Sequence, residues 1–69
     1  MSERVRVRVL LLVGDEAEIV ADAADAGAPA RYPAGEIAAA VGVPARELPG
    51  RRLTAAVGAD DRLSRWRLV

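Results

Sequence analysis

Arginine and carboxylate residues, the side chains here best able to bind another molecule, are concentrated in different stretches of the first 27 residues of this 69-residue sequence. All ten basic residues are arginine, and Arg4, Arg6 and Arg8 alternate with valine near the N-terminus. Between residues 15 and 27 every charged residue is acidic. Because the planar guanidinium group binds carboxylate or phosphate through paired hydrogen bonds, this pattern indicates recognition of an acidic partner or of a phosphate group.

Residue types that common catalytic sites require are missing. The sequence has no His, Cys or Lys, which excludes His-based triads, disulfides and thiolate metal sites. A general base would have to be an Asp or Glu with a raised pKa, yet each of these lies in a segment expected to be wet. The hydroxyl groups of Ser2, Tyr32, Thr54 and Ser64 have no neighbouring base in the sequence. We therefore expect a protein that is not an enzyme and uses no cofactor or metal.

The first 27 residues predict a strand and then a helix. Arginine and valine alternate from Arg4 to Val9, which is the period of a strand. One strand face would carry Val5, Val7, Val9, Leu11 and Val13. After Gly14, residues 15–26 show helical spacing of apolar residues, an N-cap at Asp15 and a stop at Gly27. The outer face of this helix would carry an acidic stripe formed by Asp15, Glu18, Asp22 and Asp25.

Residues 35–50, GEIAAAVGVPARELPG, raise the question of a DNA-reading helix-turn-helix. Ala38 and Gly42 fit the first helix and the turn, but Pro49 and Gly50 would interrupt the recognition helix. There a proline costs about 3 kcal/mol and a glycine roughly 1 kcal/mol. The residues instead predict a helix that starts at Pro33 and ends at Gly42, a single short turn, and a β-turn at Pro49-Gly50.

Residues 52–69 predict a β-hairpin, because two alternating segments flank the turn sequence GADD. Ser64, Trp66 and Leu68 would share one face of its second strand. The whole chain, residues 1–69, is then expected to form a single small α+β domain with the element order β-α-α-β-β. The simplest two-layer solution is a three-stranded sheet in the order 1-3-2 with both helices on one face.

Parts of the sequence resemble three protein families. VRVLLLVGDEAEIV resembles the opening of a response-regulator receiver domain, but Gly14 and Asp15 stand where that family has an acidic pair. Arg4, Arg6 and Arg8 before a helix resemble ribbon-helix-helix repressors, which need a long second helix. The element order resembles that of KH RNA-binding domains, but their GxxG clamp is absent. Each resemblance is therefore incomplete.

On the predicted fold, six arginines gather on the sheet face away from the helices. This arginine face consists of Arg4, Arg6, Arg8, Arg52, Arg65 and Arg67. The net charge is zero, so the molecule would be two-sided, with the acidic stripe elsewhere. A solvated surface is the simplest interpretation of such charge runs. The functional alternatives are that the arginine face meets an acidic stripe of another copy or of a partner, or that it contacts phosphate.

We predict a small interaction module or accessory subunit, self-associating or bound to a larger protein partner. Alanine and valine bury little area each, and small domains with thin cores often gain stability by association. The alternative is a small nucleic-acid-binding or transcription-regulatory protein, which exposure of Tyr32 and Trp66 beside the arginine face would favour. The longest apolar run, residues 9–13, is too short to cross a membrane. With no cleavage pattern after it, we expect a cytoplasmic protein.

Overall fold

The computed structural model of the protein describes residues 3–23 and 27–69. These residues form a five-stranded sheet, one α-helix and one short 3₁₀ helix. The strands are β1 (Glu3–Val13), β2 (Glu16–Ala21), β3 (Ala30–Pro33), β4 (Arg52–Val57) and β5 (Leu63–Leu68). The α-helix, α1, spans Ala34–Val41, and the 3₁₀ helix spans Ala45–Glu47. Neither helix of this described part has the length and apolar character needed to span a membrane.

The strands lie in the order β3-β2-β1-β4-β5, and each neighbouring pair is antiparallel. β1, β2 and β3 follow one another as hairpins, and β4 returns after α1 to lie beside β1, which is a Greek-key connection. The sheet curls until a side chain of β3 contacts β5, so it forms a half-barrel.

The predicted three-stranded β-α-α-β-β domain with two helices is wrong. Glu16–Ala21, predicted to be helical, form β2, and Ala30–Pro33, predicted to be a linker, form β3. β4 pairs directly with β1, whereas the order 1-3-2 would place the last strand between them. The chain reverses in a two-residue turn at Gly14 and Asp15, in which Gly14 has the positive φ (58°) that hairpin turns of this length use. Pairing with the long β1 therefore outweighs the helix propensity of residues 16–21, because tertiary contacts routinely override intrinsic propensity.

The concave inner face of the sheet carries the core. Its buried side chains come from every strand and from α1: Val7, Val9, Ala17, Ile19, Tyr32, Ala34, Ile37, Leu48, Leu53, Ala55 and Trp66. α1 packs against β2, β3 and β5. Ile37 and Leu48 fill the space beneath α1 and the 3₁₀ helix, and both are fully buried. The core is therefore enclosed by the curl of the sheet on one side and by α1 on the other.

Two β-bulges change which side chains face outward. In β1 the register shifts between Val9 and Leu11, so Leu12 lies opposite the buried Ala17 while Leu11 is 45% exposed. In β5 the shift falls at Arg65, whose φ is 54°, so that Ser64 and Trp66 lie on opposite faces. The shared faces predicted for the odd-numbered residues of the first strand and for Ser64, Trp66 and Leu68 are wrong beyond each bulge, because an extra residue reverses the alternation.

Candidate functional site

The convex outer face of the sheet brings most of the predicted arginine face together. The register places Arg4, Arg6 and Arg8 of β1 opposite Ala56, Thr54 and Arg52 of β4, and Arg67 of β5 opposite Thr54. These positions alternate with the buried Val7 and Leu53, so their side chains lie on the face away from the core. Arg65 lies at the bulge of β5.

Arg4 already has a structural role on this face. Its Nη2 donates hydrogen bonds to Thr54 Oγ1 at 2.8 Å and to the carbonyl oxygen of Arg65 at 3.0 Å. The side chain therefore crosses from β1 over β4 to β5, above Ala56, which is buried. Arg4 links three strands, which leaves less of its hydrogen-bonding capacity for a partner.

Four other arginines of the face have no carboxylate within 4.0 Å among the described residues: Arg6, Arg8, Arg65 and Arg67. Arg8 lies directly opposite Arg52 in the ladder, and like charges in that position destabilise a sheet. The positive charge of Arg52 is offset by Asp22, since Arg52 Nε lies 3.7 Å from Asp22 Oδ2. The charge of Arg8 has no such carboxylate among the described residues. The surface formed by β1, β4 and β5 therefore carries an excess of positive charge that an anionic partner would neutralise.

The acidic stripe does not lie on a helix, contrary to the prediction from the sequence. Asp15 lies in the turn between β1 and β2, and Glu18 lies in β2 on the outer face, opposite the exposed Leu11. Asp22 follows β2, while Asp25 falls outside the described residues. Glu18 and Asp22 thus share a face with the arginines, because β2 lies beside β1 in one sheet. The expectation of a two-sided charge distribution is wrong for these positions.

Arg31 of β3 neutralises part of the negative charge that the glutamates of β2 carry. Its Nε lies 3.4 Å from Glu18 Oε2, and its Nη1 lies 4.0 Å from Glu16 Oε1. Acidic residues of β2 therefore stand between Arg31 on one side and the β1 arginines on the other. The outer face therefore has a basic half on β1, β4 and β5 and an acidic half on β2 and β3, where two glutamates, Glu16 and Glu18, outnumber one arginine, Arg31.

Exposed aliphatic side chains lie beside the basic half. Leu10 and Leu11 are exposed at the bulge of β1, next to Arg8. Val69 is also exposed, and its N–H donates to the carbonyl oxygen of Arg52. Arginine with partly exposed aliphatic groups is a composition typical of protein–protein interfaces. The sequence alone missed this feature, because alternation placed Leu11 on the same strand face as Val5, Val7 and Val9.

The two aromatic side chains lie on the inner face, away from the arginines. Tyr32 and Trp66 are 7% and 4% exposed, and their rings meet edge to face with centroids 5.1 Å apart. The Leu63 N–H donates a hydrogen bond to Tyr32 Oη at 3.2 Å. Since Tyr32 belongs to β3 and Leu63 and Trp66 belong to β5, these contacts hold together the two free edges of the half-barrel.

Replacing Tyr32 by phenylalanine tests this connection between the edges. Tyr32→Phe keeps the ring contact with Trp66 but removes the acceptor for the partly buried Leu63 N–H. We expect the free energy of unfolding to fall by about 0.5–1.5 kcal/mol, measured by urea denaturation followed by circular dichroism. An unchanged midpoint and slope would show that water replaces the hydroxyl group and that the bond does not hold the edges together.

Within residues 3–23 and 27–69, no three acidic side chains come close enough to hold a metal ion. The hydroxyl group of Thr54 accepts a hydrogen bond from Arg4. The outer face offers charge and shape for binding.

Compared with known proteins, the chain matches no protein-family model, no curated protein and no solved structure.

Proposed function

We propose that this protein is a small interaction module that binds an acidic protein surface through the basic half of its outer sheet face, and that the partner is a second copy of the chain. The observation that carries the proposal is the group of three arginines, Arg6, Arg8 and Arg67, beside exposed leucine side chains. Arginine suits such a contact because its fork binds carboxylates in a bidentate manner.

A second copy is favoured because the same face carries both charges. Twofold interfaces use one patch on both subunits, so that patch must complement itself. Here the carboxylates of β2 and the arginines of β1, β4 and β5 lie on one surface, and a twofold rotation can bring the first over the second. Leu11 lies on β1 opposite Glu18 of β2, at the border between the two halves, and supplies apolar area for the contact.

The proposal predicts that charge reversal on this face breaks self-association. The double variant Arg6→Glu/Arg67→Glu changes the sign of two exposed side chains and leaves the core untouched. Twofold symmetry repeats each contact, so four contacts are lost or reversed. At about 0.2–1 kcal/mol each, the dimer should dissociate about fourfold to several hundredfold more readily. Sedimentation equilibrium over a range of protein concentrations, at low and at moderate salt, measures the dissociation constant.

Arg46→Glu provides the matched control, because Arg46 is exposed on the 3₁₀ helix rather than on the sheet. It changes the net charge in the same direction, so a general charge effect would appear in it as well. A wild-type protein that stays monomeric at high concentration and low salt would overturn the proposal. Equal weakening by Arg46→Glu would also contradict the assignment to the outer face.

A nucleic acid is the second candidate partner of the same face. It is supported by the close grouping of Arg8 with Arg52 and of Arg6 with Arg67 around Thr54, which resembles a surface for phosphate groups. The burial of Tyr32 and Trp66 leaves the face without stacking platforms, and the β2 carboxylates on the same face repel phosphate. Fluorescence anisotropy with random duplex and single-stranded DNA and RNA tests this candidate. An affinity that falls steeply as the salt concentration rises would support nucleic-acid binding. Unchanged anisotropy at low salt would exclude it.

A further inference from the structure

A cavity of about 280 Å³ opens on the inner side of the half-barrel, on the opposite face of the sheet from the arginines. Its wall is mostly apolar and comes from four strands. The side chains that define it are Val5, Val7, Ile19, Ala30, Tyr32 and Leu63. Barrel mouths of this kind are common positions for small-molecule sites, so the cavity is a candidate site independent of the outer face.

The cavity exists because small residues meet where the barrel is not closed by hydrogen bonds. Ala21 and Ala30, at the ends of β2 and β3, line it together with Gly27 and Ala28. None of these side chains is large enough to reach across to β5. A cavity of about 150 Å³ can hold benzene, so the volume here has room for one aromatic ring carrying a short chain.

One charged side chain stands at the rim. Asp61 is the only charged residue among the described residues that line the cavity. Its turn is held by hydrogen bonds from Gly58 N–H to the Arg62 carbonyl at 2.8 Å and from Asp61 N–H to the Gly58 carbonyl at 3.0 Å. Asp61 has a φ of 63°, a left-handed conformation that is uncommon outside glycine. The turn therefore fixes the backbone of Asp61 beside the opening of the cavity.

The neighbouring guanidinium group is held by another contact. Arg62 lies over the Tyr32 ring, with Cζ 4.9 Å from the ring centroid, in a cation–π contact. The backbone N–H of Arg62 donates to Asp60 Oδ1 at 3.1 Å. Arg62 itself does not line the cavity, whereas Asp61 does, so Asp61 is the charged residue that a ligand in the cavity would meet first.

We propose that this cavity binds a small hydrophobic amine, with the ring or alkyl group against Val7, Ile19 and Leu63 and the ammonium group beside Asp61. The apolar walls supply affinity, and Asp61 selects the charge of the polar end. Because Asp61 is exposed, the selection is modest: an exposed ion pair changes affinity by about two- to fivefold.

Three probes of nearly equal size test the proposal: 2-phenylethylamine, 2-phenylethanol and phenylacetate. Each is titrated into ¹⁵N-labelled protein, and dissociation constants are obtained from amide chemical shifts. We expect the amine to bind about two- to fivefold more tightly than the alcohol and phenylacetate to bind most weakly, with shifts concentrated at Val5, Ile19 and Leu63. Shifts spread over the surface, or no binding by any probe, would overturn the proposal.

Two variants separate the role of charge from that of space. Asp61→Asn should remove the preference for the amine over the alcohol and leave the affinity for the alcohol unchanged. Ala30→Leu places a larger side chain in the cavity, since Ala30 lies opposite the buried Ile19, and should weaken all three probes by at least about tenfold because leucine occupies their space. Ala21→Leu serves the same purpose if Ala30→Leu fails to fold.

Glu36→Gln is the control for charge, because Glu36 is an exposed carboxylate in the first turn of α1 and does not line the cavity. If the amine is still preferred in Asp61→Asn, or is no longer preferred in Glu36→Gln, then Asp61 is not the residue that selects the charge of the ligand, and the proposal is overturned. Undiminished binding in a folded Ala30→Leu protein would overturn the assignment of the cavity. None of these residues belongs to the outer sheet face, so this proposal and the proposed function can fail separately.

Discussion

Replacing Trp66 by alanine is expected to lower the free energy of unfolding by about 3–5 kcal/mol. Trp66 is 4% exposed and packs against Tyr32 across the gap between β5 and β3. A 69-residue domain has a total stability of roughly 3–10 kcal/mol, so Trp66→Ala should leave much of the protein unfolded at room temperature. The effect is large because the rest of the core consists mainly of smaller aliphatic side chains, which cannot fill the space that an indole leaves.

Urea denaturation followed by far-ultraviolet circular dichroism measures this effect, since the variant loses the only tryptophan and with it the fluorescence signal. Trp66→Phe is the matched control. It keeps an aromatic ring against Tyr32, and we expect less than half of the loss seen with alanine. A loss below about 1 kcal/mol for Trp66→Ala would show that β3 and β5 do not depend on this contact, contrary to the structure.

Local sequence features predicted the middle of the chain correctly. α1 follows directly after Pro33 and ends at Gly42, which has a φ of 76° and donates its N–H to the Ala38 carbonyl. The short turn lies at Ala45–Glu47, and the Arg51 N–H closes the β-turn at Pro49-Gly50 by binding the Leu48 carbonyl. These features are confirmed because proline and glycine fix backbone angles without help from the rest of the fold.

β2 could not be identified in the same way. Asp15 and Glu18 resemble a helix cap, and the alanine-rich segment after them favours a helix, yet Ala17 and Ile19 alternate with Glu16 and Glu18 as in a strand. What decides between the two is pairing with β1 on one side and with β3 on the other. β3 has only four residues and ends in a proline, so its sequence carries almost no strand signal of its own.

The same difference between local sequence features and long-range strand pairing explains which parts of the candidate site were predicted correctly. Arg4, Arg6, Arg8 and Arg52 were placed on one face because alternation within a strand is a local property. The acidic residues were misplaced because their element was misassigned. Exposure of Leu10 and Leu11 follows from a bulge, and neither that bulge nor the cavity is visible in residue spacing. Binding features that depend on register therefore need the structure, whereas the charge of a strand face does not.

Replacing Ile37 by alanine is the second change expected to have a large effect, a loss of about 2–5 kcal/mol. Ile37 is fully buried and is the largest side chain that α1 contributes to the core. An eight-residue helix is too short to be stable in water without packing, so α1 depends on this contact. Because α1 packs against β2, β3 and β5, its loss should weaken both free edges of the half-barrel.

Hydrogen exchange distinguishes a local from a global effect of Ile37→Ala. If the fold is cooperative, amide protection should fall by the same free energy in α1, β1 and β4. Ala39→Gly is the control, since Ala39 is exposed on α1 and glycine there lowers helix propensity by about 1 kcal/mol without opening a cavity. Loss of protection confined to α1 in the Ile37 variant would contradict this expectation, because it would mean that the sheet holds its curl without the helix. Equal effects of the two substitutions would show that α1 contributes through its backbone rather than through the packing of Ile37.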